Sequence, residues 1–166
     1  MASESDDFEG RWKATLLVVQ NWRSNLRSAG AAQLRRCKSP SDVEMLGDFH
    51  RLLHDFPSNS PVERRQLPLL VGLSAHLRGT VESTAIGAVG QLAGQLGRTA
   101  NDKPVLSEAR FLRLMAETDV EALYPQMIRV LRILNGNVSL QALWRGLAWW
   151  NTRTRRDWAY AYYEKN

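Results

Sequence analysis

Residues 107–136 read S-E-A-R-F-L-R-L-M-A-E-T-D-V-E-A-L-Y-P-Q-M-I-R-V-L-R-I-L-N-G. Ser107 stands where a helix N-cap belongs, and Phe111, Leu114 and Met115 follow at helical spacing. Asp119 opens a second element whose Leu123, Met127, Val130, Leu131 and Leu134 share one face, and Asn135-Gly136 closes it. Glu117, Asp119 and Glu121 cluster at the junction, where Asp119 and Glu121 suit the positive end of a helix. The stretch is two capped amphipathic helices with no alternating strand pattern.

The same pattern extends in both directions. Upstream, Phe8, Trp12, Leu16, Val19 and Leu26 recur at helical steps and mark a first helix ending near Arg27. Gly30 is expected to separate it from a short helix around Ala31 to Cys37. Ser39-Pro40, with Asp42 three residues after the cap, starts a third helix carrying Val43, Leu46, Phe49, Leu53 and Phe56. Ser60-Pro61-Val62-Glu63 repeats that start signal before Leu67, Leu70, Leu73 and Leu77; Pro68 should kink or divide this helix, and Gly79 should stop it. Gly87, Gly90, Gly94 and Gly97 then fall on one helical face, open to close approach by another backbone or a nucleic-acid strand. Downstream, Ser139 caps a helix with Leu140, Leu143, Trp144, Leu147 and Trp150, which continues or breaks near Asn151 into one bearing Trp158, Tyr162 and Tyr163. The expected fold is all-α, a compact multi-helix bundle. It forms one helical domain over residues 1–166, with any division into two small lobes falling near 98–105, in R-T-A-N-D-K-P-V.

Composition narrows the function classes. No run of about 18 uncharged apolar residues is present to span a membrane. The acidic N-terminus is unlike a signal peptide, and one cysteine permits no intrachain disulfide, so a reducing cytoplasm is the expected location. Net charge is +5, but residues 10–166 hold 22 basic against 13 acidic groups, a net +9, and 18 of the 22 cations are arginine. Arginine's planar fork suits phosphate and flat rings, so the balance points to a polyanion, although a bias toward arginine codons would give the same composition.

No enzymatic signature emerges. His50 and His54 lie one helical turn apart, but Arg51 replaces the glutamate a metalloprotease needs, and no third ligand follows. Cys37 stands among cations that lower a thiol pKa, yet no histidine or second cysteine accompanies it in sequence. Neither metal nor cofactor is expected. The arginine spacing is more informative. Arg110 and Arg113 share a helix face, and Arg129 and Arg132 repeat the spacing on the next helix. Arg145, Arg153, Arg155 and Arg156 extend the series. Between Arg110 and Arg156 eight arginines meet three acidic residues, where a solvated face would interleave acids. In S-A-G-A-A-Q-L-R-R-C-K-S-P (28–40), Arg35, Arg36 and Lys38 gather at a helix end, with Arg27 just before it, and all four join the candidate nucleic-acid-binding set. Trp149 and Trp150 precede N-T-R-T-R-R, where aromatic platforms beside cations stack bases. Trp144, Leu147 and Trp150 also fall at core spacing, and both readings stand.

Five segments in order resemble CasB, the small subunit of type I-E CRISPR surveillance complexes (Cascade). G-A-A-Q-L-R-R-C-K-S-P (30–40) is similar to that family's Leu-Arg-Arg hallmark, and A-I-G-A-V-G-Q-L-A (85–93) to its small-residue helix, with Gln91 where a basic residue is common. S-E-A-R-F-L-R-L-M-A-E (107–117), M-I-R-V-L-R-I-L (127–134) and L-A-W-W-N-T-R-T-R-R-D-W-A-Y-A-Y-Y (147–163) are similar to its later basic motifs, with the second arginine of the middle one displaced. The resemblance implies a helical, non-enzymatic subunit, present in two copies beside the guide RNA, that helps hold target DNA during R-loop formation. Its partners would be guide RNA and target DNA through backbone contacts, other Cascade subunits and a second copy of itself. Arg35 and Arg36, Arg110 and Arg113, Arg129 and Arg132, and Arg153, Arg155 and Arg156 match the family's basic motifs. The competing expectations are a helical scaffold without nucleic-acid contact and a helix-turn-helix regulator built around Asn135 to Arg156.

Overall fold

The computed structural model describes residues 3–78, 90–97 and 103–164. Among these residues the chain forms ten α-helices, one 3₁₀ turn and no strand, an all-α fold. Helix α1 (Glu4–Ser24) opens with a reciprocal capping box between Ser3 and Asp6 and buries Trp12, Thr15 and Val19. It ends three residues before Arg27. Helix α2 (Ser28–Arg36) contains Gly30 rather than following it. A Cβ at Gly30 would lie 2.4 Å from Asp48 Oδ2, so the glycine serves a close approach inside the helix and not a break.

The helix expected to follow Ser39 is two. Ser39 caps α3 (Pro40–Val43) by accepting from the Asp42 N–H, then Leu46 turns extended and α4 (Gly47–Asp55) begins. Helix α3 packs on α5 and α8 while α4 packs on α1, which one straight helix could not do. The second start signal also differs from expectation. Ser60 Oγ accepts from Thr15 Oγ1 at 2.8 Å and from the Val62 N–H, and helical backbone appears only at the 3₁₀ turn Arg64–Gln66. Pro68 then sits in the first turn of α5 (Leu67–Ser74), where its missing N–H costs nothing, so it starts this helix instead of kinking it.

All eight residues of α5 are buried, as an apolar-all-round helix requires, and α2, α3, α8 and α9 pack around it. Helix α6 (Gln91–Leu96) is flanked by Gly90 and Gly97. A Cβ at Gly90 would meet Ala161 Cβ at 2.7 Å, and one at Gly97 would meet the Tyr162 carbonyl at 2.4 Å. The close approach expected of the glycine face is therefore made by α10, at these two positions; Gly79 and Gly87 lie outside the described residues.

Helices α7 (Glu108–Ala116), α8 (Val120–Ile133), α9 (Leu140–Leu147) and α10 (Thr152–Tyr163) carry the side-chain caps of Ser107, Asp119, Ser139 and Asn151. Phe111 of α7 stacks on Tyr162 of α10 with centroids 3.8 Å apart, and Trp158 Nε1–H donates to the Gly146 carbonyl, so α7, α9 and α10 lock together. Of the suggested lobe boundary, residues 98–102 lie outside the described residues. Beside it, the N–H groups of Val105 and Leu106 donate to the carbonyls of Gly97 and Leu96. Asn135 and Gly136 end α8 with φ of 55° and 70°. The Gly136 carbonyl accepts from the Arg78 N–H at 2.9 Å, which brings the residues after α5 against the end of α8.

Candidate nucleic-acid interface

Helices α7 and α8 leave a shared corner at residues 117–119 and enclose a groove of about 720 Å³. Local sequence places its lining. Phe111 turns α7 toward the core, and Tyr124, Met127 and Leu131 do the same for α8, so residues one face away point into the gap. Those residues include Arg110 and Arg113 on one wall and Arg129 and Arg132 on the other. All four are exposed, and none forms an ion pair with a described residue. The corner is closed by Gln126 Nε2–H, which donates to Glu117 Oε2 at 3.1 Å. Four guanidinium groups thus face one acidic side chain across a concave surface, a field that concentrates anions.

Two further sets of candidates lie outside the groove lining, and one of them, on α10, touches its corner. His76, packed where the chain leaves α5, is held below the usual histidine pKa by burial and then by the positive charges of Arg132 and Arg35. The same imidazole thus feels one charge from the groove wall and one from the end of α2. Arg35, Arg36 and Lys38 are exposed and without ion pairs to described residues, and Arg27 stands exposed at the other end of α2. At the closed corner, half-buried Arg155 reaches the Glu117 carbonyl at 3.4 Å, and exposed Arg153 and Arg156 flank it on α10. Of the basic residues picked out by spacing, Arg110, Arg113, Arg129 and Arg132 share one groove and Arg155 reaches its corner.

Arg145 does not join them. Its side chain is 10% exposed and forks onto both oxygens of Glu9, at 3.1 and 3.3 Å, while its guanidinium lies 5.1 Å from the Trp12 ring centroid. This arginine ties α9 to α1.

The tryptophan pair divides. Trp150 is buried, packs edge-on against Trp158, and donates to the Glu117 carbonyl at 2.7 Å, which supports the groove corner. Trp149 is 49% exposed and donates to the Pro61 carbonyl. His50 Nε2 lies 2.7 Å from the Glu44 carbonyl, and no group of three metal-ligating side chains occurs among the described residues. Burial and then Asp42 push the Cys37 thiol up, opposite to the activation its neighbouring cations would produce. Gln126 lines the groove although no motif marks it.

No curated protein sequence matches the chain. A chain in the crystal structure of E. coli Cascade bound to a PAM-containing dsDNA target shares its fold, with a TM-score of 0.64, 22% identity, and coverage of 89% of this chain and 93% of that one. The family model of CRISPR-associated protein Cse2 matches residues 30–163, a span that takes in α2, the α7–α8 groove and the basic turn of α10. The chain belongs to the CRISPR-associated Cse2 family, the small Cascade subunit that its CasB-like motifs pointed to.

Proposed function

We propose that this chain is a non-enzymatic small subunit of a type I-E Cascade complex that grips nucleic-acid backbone and stabilises the R-loop. The observation that carries the proposal is the groove wall: Arg110, Arg113, Arg129 and Arg132 converge from two helices with no ion-pair partner among the described residues. The chain with which this fold superposes comes from a Cascade bound to double-stranded DNA, which supports the same setting here.

The mechanism follows from energetics. Exchanging DNA duplex for RNA–DNA heteroduplex is nearly balanced, so modest backbone contacts to a separated strand tip it toward opening. Contacts to phosphate fix position without reading sequence, as a subunit serving any guide requires. Arg35 and Arg36 on α2, and Arg153, Arg155 and Arg156 on α10, supply further backbone contacts in this reading, with Arg155 at the groove's corner. A second copy beside the first would lengthen the track without needing affinity in free solution, since the larger complex supplies effective concentration.

Replacing Arg113 and Arg129 together with Ala tests this. The slope of log affinity against log salt for a single-stranded oligonucleotide should shrink by about 1.4, roughly 0.7 for each phosphate that is no longer neutralised. An unchanged slope removes the groove from the binding surface. A chain that joins its complex but binds no strand at low salt is a scaffold instead.

A further inference from the structure

The α7–α8 groove is more than a basic trough. Its floor is apolar, formed by Leu106, Leu114, Val130 and Ile133, and its closed corner presents a carboxylate. Neither feature serves a phosphate: aliphatic carbon offers it no hydrogen bond, and Glu117 repels it. Both suit a base. An unstacked base has a flat apolar face to lay on aliphatic side chains, and the exocyclic amino groups of cytosine and adenine donate to a carboxylate. Glu117 Oε2 holds Gln126, and Oε1 carries no hydrogen bond to a described residue. Along α7, Arg110 and Glu117 are two helical turns apart, about 10 Å, close to the reach of one extended nucleotide from phosphate to base edge. The groove's 720 Å³ lies within the range of small-ligand sites.

We propose that the groove takes one unpaired nucleotide of the bound strand. Its phosphates lie along the arginine walls, its base lies on Leu114, Val130 and Ile133, and its amino edge meets Glu117. The proposal rests on the backbone-binding reading and adds the substrate class: single strand over duplex, whose bases are already paired and stacked, and amino-bearing bases over thymine. Charge complementarity favours this occupant, because four arginines call for an anion and a nucleotide joins that charge to a flat apolar face and an amino edge for Glu117.

Fluorescence anisotropy on the full chain, over one shared series of salt concentrations, compares three labelled oligomers of equal length: oligo-dC, oligo-dT and an abasic sugar-phosphate chain. The abasic oligomer should bind roughly tenfold more weakly than oligo-dC with an unchanged salt slope, the effect of burying about 55 Å² of base face at about 25 cal/mol per Å². Oligo-dC should bind more tightly than oligo-dT, and Glu117→Gln should narrow that gap. Equal affinity for oligo-dC and the abasic chain overturns the nucleotide site and leaves the backbone reading intact. A dC–dT gap that is absent, or untouched by Glu117→Gln, overturns the role of Glu117. Binding to no oligomer at low salt, with an acidic peptide bound instead, overturns both readings.

Discussion

Replacing Arg145 with Ala separates an arginine that holds the fold from those that face solvent. Spacing alone would group it with Arg129 and Arg153, but its guanidinium is engaged by Glu9 and Trp12. Removing one partner of a fully buried ion pair costs about 3–5 kcal/mol, and exposed pairs contribute about 0.2–1 kcal/mol. The side chains here are 10% and 31% exposed, so the pair falls between, at about 1.5–2 kcal/mol. Removing the guanidinium from the Trp12 face adds about 0.5–1 kcal/mol. The total of about 2–3 kcal/mol should lower the melting temperature by roughly 5–10 °C in a chain of this length. Thermal unfolding followed by far-UV circular dichroism measures that shift, and a double-mutant cycle with Glu9→Gln isolates the pair. The salt slope of strand binding should not change. A lowered slope with an unaltered melting temperature would refute the structural role and return Arg145 to the binding surface.

The approach of α6 to α10 makes a second contrast. Gly97→Ala forces a methyl within 2.4 Å of the Tyr162 carbonyl, a backbone atom that cannot swing aside, and should destabilise by about 2 kcal/mol. Gly94→Ala, whose Cβ meets no described atom within 4 Å, should be neutral or stabilise by up to about 1 kcal/mol; equal melting temperatures for the two variants would mean the helices do not touch as described. A third contrast concerns Arg153, the second residue of α10. Arg153→Ala should raise stability by about 0.3–1 kcal/mol by removing a cation from the positive end of the helix, while the salt slope falls by about 0.7. A variant that melts lower than the parent would show that Arg153 serves the fold.

What was legible in the sequence follows the range of the interactions involved. The caps at Ser39, Ser107, Asp119 and Ser139 are hydrogen bonds across two or three residues, so local residue types foretell them. The break between α3 and α4 is not local. Val43, Leu46, Phe49 and Leu53 fit one uninterrupted helix, and only the need to pack on α5 and α1 at once divides it. Gly30 reads as a separator for the same reason, since Asp48, which fills the space a side chain would take, lies far along the chain. The arginine pairs at i,i+3 were legible, because one helix decides which face they share. Their convergence across the α7–α8 groove was not, nor was the withdrawal of Arg145, whose partner Glu9 is 136 residues away.

The positions of the cations along their helices distinguish two causes for them. Arg35 and Arg36 end α2, Arg113 lies in the last turn of α7, and Arg132 lies in the last turn of α8. A cation is favourable at each of these places because the helix dipole leaves partial negative charge there, so folding alone accounts for their sign. Arg110 and Arg153 have no such account. Arg110 is the third residue of α7 and Arg153 the second of α10, both at positive helix ends where Asp or Glu would stabilise the fold. Neither forms an ion pair with a described residue that would offset the cost. Helix propensity does not demand arginine there either, since Lys, Gln and Glu serve as well. A charge that the fold disfavours on both counts is best explained by an anion outside the chain. Arg110 lines the α7–α8 groove, and Arg153 stands exposed in the first turn of α10. Arg110 thus supports an anion partner for the four-arginine wall on grounds that use neither the groove's shape nor its net charge.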